Sequence, residues 1–385
     1  MTPFHNGGIY FLLFVLTSRL IWWTNPVEEV TMIGDPVKIS MALGAGASLE
    51  PNSLARHAQN LESAGVDLVW GGEIYGYDLV STLAFVAGQT KKMELMTGIL
   101  PVYSRSPALI AQTAITIDTL SEGRFVLGLG SSGPQVIEGW HGVPFKKPLG
   151  MTRDVIDICR KVWSGDKVEH EGRAFNMPLA DGEGTGLGKP LKLMCKPYRQ
   201  DIPIAVASIG PKNVEMTAEL ANLWQPIHFL PEKFHDVWGD ALHAGKAKRS
   251  DNLGQLEIVA GGTVALGDGP HVEAARKAVR DNTGFYVGGM GARDQNFYND
   301  LFKRYGYEQE AQEIQDLFLS GKRDEAFSKV PDDYIDRASL TGDEGRVRER
   351  IEVYKEVGVT YLNIDIPGDT ENPLEVIEKV KAWAE

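Results

Sequence analysis

Eight short apolar runs recur along the chain, and this recurrence constrains the fold more than any other feature. They lie at 37–43, 66–70, 93–98, 124–129, 202–207, 223–229, 256–266 and 360–366. Each is continuous rather than alternating in polarity, the pattern of strands covered on both faces. Between them lie segments with helical spacing at 51–64, 79–89, 107–120, 152–163, 211–221, 231–245, 344–357 and 373–384, with Asp78 and Thr152 placed as N-caps. Strand and helix alternating eight times predict an α/β fold, a (β/α)8 TIM barrel. Insertions are expected after the fourth and seventh strands. The first is a loop at 131–150 with a Gly- and Pro-rich excursion at 165–200 after the next helix. The second holds helical segments at 271–279, 295–305, 308–319 and 323–329, then a loop at 330–340. A two-domain doubly wound sheet is the rival, but no linker-like stretch interrupts the alternation.

A chain of 385 residues, 43% of them hydrophobic, can build one large core. Its net charge of −13 argues against a nucleic-acid partner, which would want a basic face. Cys159 and Cys195 are too few for a disulfide framework or a thiolate metal site, which fits a reducing, cytoplasmic setting. Residues 1–36 form an apolar extension, broken by Thr17, Ser18 and Arg19, that is too short to span a bilayer well. It also lacks the flanks of a signal peptide. A poor signal or anchor, an extra helix, and sequence upstream of the true start are the three readings, of which the last is favoured, with the barrel domain at 37–385 and no stable membrane span.

Ligands of α/β proteins bind where strands end, so the strand-to-helix junctions are the places to look. The third strand runs into Thr97-Gly98-Ile99-Leu100-Pro101, and a glycine there lets a ligand approach bare backbone. After the fourth strand, Gly128-Leu129-Gly130-Ser131-Ser132-Gly133 matches the dinucleotide pattern G-x-G-x-x-G. That pattern belongs in the first βα unit, with an acidic residue ending the next strand. Here it follows the fourth strand, and Asp154 falls in a helix, so a glycine-rich turn at a barrel mouth fits better. After the fifth strand, Ser208-Ile209-Gly210-Pro211-Lys212-Asn213 puts a tight turn and a proline at a helix start. The amides of Lys212, Asn213 and Val214 would then face an anion, with the Lys212 charge beside them.

Two further stretches carry titratable groups. Glu73 follows the second strand, with Tyr75 and Tyr77 nearby; it is either a mouth carboxylate able to move a proton or a surface glutamate. Glu138-Gly139-Trp140-His141-Gly142 lies in the first insertion, where His141 could donate a proton or cap a turn, and Trp140 could stack on a ring or pin the loop. The histidines show no ligand spacing, so no metal is predicted. Arg105, Arg293 and Lys303 read as solvated.

In order along the chain, TGILPVYSRSP, DTLSEGRFVLGLGSSGPQVIEGWHGVPF, GTGLGKPLKL and ASIGPKNVEMTAELA resemble the luciferase-like monooxygenase superfamily, and within it the branch that uses the deazaflavin coenzyme F420. The resemblance implies a (β/α)8 barrel holding the deazaflavin at its C-terminal mouth. It implies that the Gly98–Ile99 bond is the family's non-prolyl cis peptide, a bulge backing the cofactor ring. It implies that Gly210, Pro211, Lys212 and Asn213, with Ser208, form the loop on the phosphate of the cofactor tail. Ser131, Ser132 and Gly133 would face the ring, and Glu73 would lie on the substrate side. Sugar-phosphate dehydrogenases of the family carry a catalytic glutamate just after the fourth strand. Ser131 and Ser132 stand there instead, which argues against glucose-6-phosphate-type chemistry.

The reading is therefore an F420-dependent oxidoreductase moving a hydride between the deazaflavin and a small organic substrate, with Glu73 or His141 handling the accompanying proton. An FMN-dependent monooxygenase using oxygen on the same barrel is the first alternative, and a non-catalytic cofactor-binding barrel the second. The family is commonly dimeric, so a homodimer is an expectation of the resemblance.

Overall fold

The structure, a computed structural model, describes residues 36–44, 50–293 and 295–385. The reading of the N-terminal extension thus lies, up to residue 35, outside the described residues. Eight parallel strands close into a barrel: β1 (Lys38–Ala42), β2 (Leu68–Gly71), β3 (Glu94–Thr97), β4 (Phe125–Gly130), β5 (Ile204–Val206), β6 (Leu223–Trp224), β7 (Glu257–Leu266) and β8 (Tyr361–Asp365). Each pairs with its neighbours in chain order. β8 pairs with both β7 and β1, and β6 with β7, which leaves no open edge in the ring.

Alternate residues along the strands serve two cores. Ile39, Val69, Leu95, Leu127, Ile204, Trp224, Ile258 and Leu362 point outward and pack under the helices. Leu68, Met96, Val126, Ala205, Leu223, Val259 and Tyr361 fill the barrel interior, with Trp70 against them. Both faces of the sheet are therefore apolar, which is why the runs are continuous. At the amino end the interior closes with polar groups: the Tyr361 hydroxyl donates to Glu94 Oε2 at 2.7 Å and accepts from Lys38 Nζ at 2.7 Å.

The barrel helices are α1 (Pro51–Ser63), α2 (Leu79–Ala87), α3 (Pro107–Leu120), α4 (Pro148–Ser164), α5 (Pro211–Leu220), α6 (Phe234–Lys246), α7 (Glu344–Glu356) and α8 (Pro373–Ala384). Proline, whose fixed φ suits the first turn, starts five of them. Asp78 caps α2 as expected, accepting from Ser81 N at 2.7 Å.

Three expectations are corrected. Thr152 does not cap α4: the helix begins a turn earlier, after Lys147 in a left-handed conformation, and the Thr152 hydroxyl donates to Pro148 O at 2.9 Å. The loop expected at 330–340 contains a helix, Asp332–Ala338, whose acidic first turn suits a helix N-terminus. The sixth strand ends at Trp224, because Pro226 follows and cannot donate to a ladder.

Both insertions are present. The first holds the short helix Pro134–Gly139, and the excursion after α4 holds a small hairpin pairing His170–Glu171 with Asn176–Met177. The hairpin is tied to α4 by Asp154, whose carboxylate accepts from the amides of Arg173, Ala174 and Phe175. The second insertion packs helices Pro270–Gly289, Phe297–Arg304, Glu308–Leu319, Arg323–Phe327 and Asp332–Ala338 after β7. No helix among the described residues is long and apolar enough to cross a membrane.

Candidate functional site

At the carboxyl end of β3 the ladder breaks. Met96 pairs with Val126, yet the next pairing on that side is Leu100 with Leu129, so β3 carries one residue more than β4 between them. The extra residue falls where the Gly98–Ile99 peptide is cis. Two polar groups of this bulge pair toward β2. Gly98 N donates to Gly71 O at 2.6 Å, and Glu73 N donates to Ile99 O at 2.9 Å. On the β4 side the buried Thr97 hydroxyl stands in for the missing ladder, accepting from Gly128 N and donating to Gly128 O, both at 2.8 Å. Glycine is required around it by close approach. A Cβ on Gly128 would lie 1.6 Å from Thr97 O, and one on Gly98 would lie 2.8 Å from Trp70 Cε3 and 2.9 Å from Gln225 Oε1.

Beneath the bulge the mouth has a polar floor that the sequence reading did not identify. Trp70 Nε1 donates to Asn363 Oδ1 at 2.7 Å, and Ser40 Oγ donates to the same oxygen at 2.9 Å. The signal was present in β8, where Tyr361, Asn363 and Asp365 alternate with Leu362 and Ile364 and so face inward together.

Glu73 leaves the end of β2 and is buried. Its Oε1 accepts from Arg105 Nη1 at 2.6 Å, while Oε2 is buried without a partner among the described residues. Arg105 also bonds Ser104 Oγ at 3.1 Å and Asp78 Oδ2 at 2.7 Å. Its side chain is only 16% exposed, so the expectation of a solvated arginine is wrong. Across from it, the first insertion is held down by the Tyr103 hydroxyl donating to Lys146 O at 2.6 Å and by Phe145 N donating to Glu138 Oε1 at 3.0 Å. Trp140 is 64% exposed and meets Tyr75 at 6.3 Å between ring centroids, which joins the loops after β2 and β4. His141 lies beside it in the chain, with Nε2 buried and unpartnered among the described residues. No hydrogen bond links Glu73 and His141 among the described residues. Ser131, Ser132 and Gly133 turn the chain from β4 into the short helix, with Ser132 at φ 57°.

After β5 the loop is braced from below. Ser208 Oγ is within 2.8 Å of Thr217 Oγ1, and the Ser208 carbonyl accepts from Trp224 Nε1 at 2.9 Å. Ile209 O accepts from Trp238 Nε1 at 3.0 Å and Arg304 Nη2 at 2.8 Å. Pro211 starts α5 as expected, but Asn213 N and Val214 N both donate to Gly210 O, so those two amides are less free than the sequence suggested. What remains for an anion is the Lys212 amide, the N–H donors of the Asn213 side chain and the exposed Lys212 ammonium; Asn213 Oδ1, buried and without a partner among the described residues, can only accept. A Cβ on Gly210 would meet nothing within 4 Å, so the turn has open space above it. Lys212 Nζ bonds Glu215 Oε2 at 2.9 Å, and Lys248 bonds the other oxygen at 2.5 Å. Lys248 first and Lys212 second hold the Glu215 carboxyl down at about 2.

The site is therefore a rim of the barrel with a glycine-edged bulge on β3, a braced helix start after β5, and carboxylate, imidazole and aromatic groups on the loops after β2 and β4. It can seat a flat ring against backbone and an anion at the helix start.

The luciferase-like monooxygenase family matches residues 32–361. A protein from Mycobacterium tuberculosis, provisionally named a coenzyme F420-dependent oxidoreductase, is 39% identical over 85% of this chain and 94% of its own length. The 5,10-methylenetetrahydromethanopterin reductase of Archaeoglobus fulgidus is 28% identical over 83% of this chain and 91% of its own. Among solved structures, the coenzyme F420-dependent tetrahydromethanopterin reductase of Methanopyrus kandleri superposes with a TM-score of 0.72 at 22% identity, covering 90% of this chain and 98% of that one.

Proposed function

The chain belongs to the luciferase-like monooxygenase family, and from that premise we propose that it is a coenzyme F420-dependent oxidoreductase acting on a small organic substrate. The observation that carries the reading is the pairing, on one rim, of a backbone bulge with a cation-bearing helix start. The name of the Mycobacterium tuberculosis relative supports the deazaflavin over other flat, phosphate-bearing cofactors.

The residues present fit such a group. The turn at Gly210 is open where a phosphate would approach, the Lys212 ammonium is exposed beside it, and the Asn213 side-chain amide has N–H donors to offer. Gly210, Pro211, Lys212 and Asn213 would hold the phosphate through the helix end and one full charge. Ser208 braces that loop through Thr217 instead of reaching out. Gly98 and Ile99 would back the ring, and the Ser131-Ser132-Gly133 turn would border it. When bound, the deazaflavin supplies or accepts the hydride.

Glu73 and His141 are the proposed substrate-side groups after β2 and β4. Each carries one buried polar atom without a partner among the described residues, which is what a bond to a ligand would use. The Arg105 guanidinium pairs with Glu73 and suits it to accepting a hydrogen bond through Oε2. If the reading is right, E73Q and H141A each lower turnover.

Fluorescence titration of the purified protein with coenzyme F420 and, separately, with FMN tests the reading. Saturable binding of the deazaflavin is expected. Tight binding of FMN with none of the deazaflavin overturns it.

A further inference from the structure

We propose that Asp365, at the carboxyl end of β8, carries the proton that accompanies hydride transfer, and that the substrate it serves is an uncharged carbonyl compound or the corresponding alcohol. This rests on the functional reading above and deepens it by naming the substrate class.

The placement follows from register. Tyr361, Asn363 and Asp365 occupy the inward positions of β8, from the closed amino end to the mouth. Asn363 belongs to the floor, bonded to Trp70 and Ser40, and Trp70 lies directly beside Gly98. Asp365 is the next inward residue above that floor and pairs in register with Thr263 of β7. Its carboxylate is therefore at the level where the bulge of β3 meets a ligand, on another part of the wall. Its one polar contact among the described residues is Thr263 Oγ1, 3.5 Å from Oδ2. Among the described residues, the neighbours on its face, Thr263 beside it and Asn363, Ser40 and Trp70 below, carry no charge.

Those surroundings suit an acid. Water reaches the Asp365 side chain, as a group in an open mouth requires. The concave wall nevertheless displaces much of its hydration, and this loss pushes the carboxyl up from its ordinary range, with Thr263 pulling the other way. Glu73, by contrast, pairs its carboxylate with the Arg105 guanidinium. Among the described residues no cation pairs with Asp365 to offset a second negative charge, so its ionised form would repel a carboxylate or phosphate substrate and not a neutral one.

The step balances simply. In reduction, hydride from the reduced deazaflavin forms a C–H bond at the carbonyl carbon. The C=O π pair moves to oxygen, and that oxygen takes the proton from Asp365. The resulting carboxylate is reprotonated by water entering the mouth. In oxidation the carboxylate takes the hydroxyl proton as hydride leaves for the oxidised deazaflavin.

The first test needs no cofactor. Carbon-13 NMR of protein labelled at the aspartate γ-carbon, assigned by difference with D365N, should give Asp365 a midpoint above the ordinary value of about 3.9, and T263V should raise it further. A midpoint at or below that value overturns the proposal. The second test uses reduced deazaflavin with cyclohexanone as substrate probe and cyclohexanecarboxylate as comparator, with cofactor affinity measured in parallel. Wild type should turn over the ketone, and D365N should lose roughly 10²–10⁴-fold in kcat with cofactor affinity unchanged. Turnover of the ketone by D365N at the wild-type rate, binding of the carboxylate in preference to the ketone, or no ketone turnover by cofactor-loaded wild type each overturns it. Failure of wild type to bind the deazaflavin at all defeats the functional reading and leaves the NMR result to be judged separately.

Discussion

Replacing Gly128 with alanine should damage the fold and the ligand site together. The new methyl group would stand 1.6 Å from Thr97 O, whereas real Cβ contacts essentially never fall below 3.0 Å, so β3 and β4 must separate by about 1.4 Å. Neither partner is a flexible side-chain end; the obstacle is backbone. The separation falls on the Thr97 hydroxyl, which holds both polar groups of Gly128 at 2.8 Å. Losing two hydrogen bonds costs about 1 kcal/mol each, and forcing a group into a filled space adds about 1–3 kcal/mol. The expected loss is therefore about 3–5 kcal/mol. Because Thr97 precedes Gly98 directly, the bulge moves with it, and deazaflavin affinity should fall as well. Urea denaturation gives the first quantity and fluorescence titration the second. T97V removes the hydroxyl without the clash and should cost about 2 kcal/mol. G210A, with nothing near the new methyl group, should leave stability unchanged and weaken only cofactor binding. A G128A protein within about 1 kcal/mol of wild type, with unaltered affinity, would refute the reasoning.

Three further outcomes are expected. Arg105→Met leaves the buried Glu73 carboxylate without its partner and should destabilise by about 3 kcal/mol in urea, with E73Q/R105M recovering most of the loss, since breaking such a pair costs more than replacing both members. Glu215 has a depressed folded pKa, about 2 against an ordinary 4.5, so its contribution is complete above about 4.5 and vanishes as pH falls through 2; the stability gap between wild type and E215Q should close over that window, and E215Q should bind inorganic phosphate more tightly because Lys212 is released. Burial lowers His228 from 6.5 to about 4, so the unfolded chain binds the extra proton first and wild type should lose stability as pH falls from 6.5 towards 4. His228→Asn, a residue that tolerates the positive φ of 54° found there, should flatten that slope in urea midpoints measured across the range.

Much of the barrel was legible because its strands are buried on both faces and so write continuous apolar runs. Helix ends were legible where proline fixes the start: α3 at Pro107–Leu120 and α8 at Pro373–Ala384 fall where their sequences place them. The start of α4 was hidden because Lys147 enters it in a left-handed conformation with no side-chain cap, so Thr152 looked like the better signal. The helix Asp332–Ala338 was missed because seven residues give too little period to stand out. At the site, Gly98 and the Gly210–Asn213 turn could be read from glycine and proline at strand ends. The Glu73–Arg105 pair could not, because the residues are 32 apart and meet only when two junctions share a rim. The Asn363–Trp70 floor joins residues 293 apart, and its only local trace is the polar alternation of β8.

The central claim is that one rim of the barrel seats both ends of the deazaflavin. A crystal structure of the protein with coenzyme F420 measures this directly. The account predicts the ring in van der Waals contact with the Gly98–Ile99 peptide and the phosphate within hydrogen-bond reach of Lys212 and Asn213. A ring seated away from the bulge, or a phosphate held anywhere but the start of α5, would contradict it.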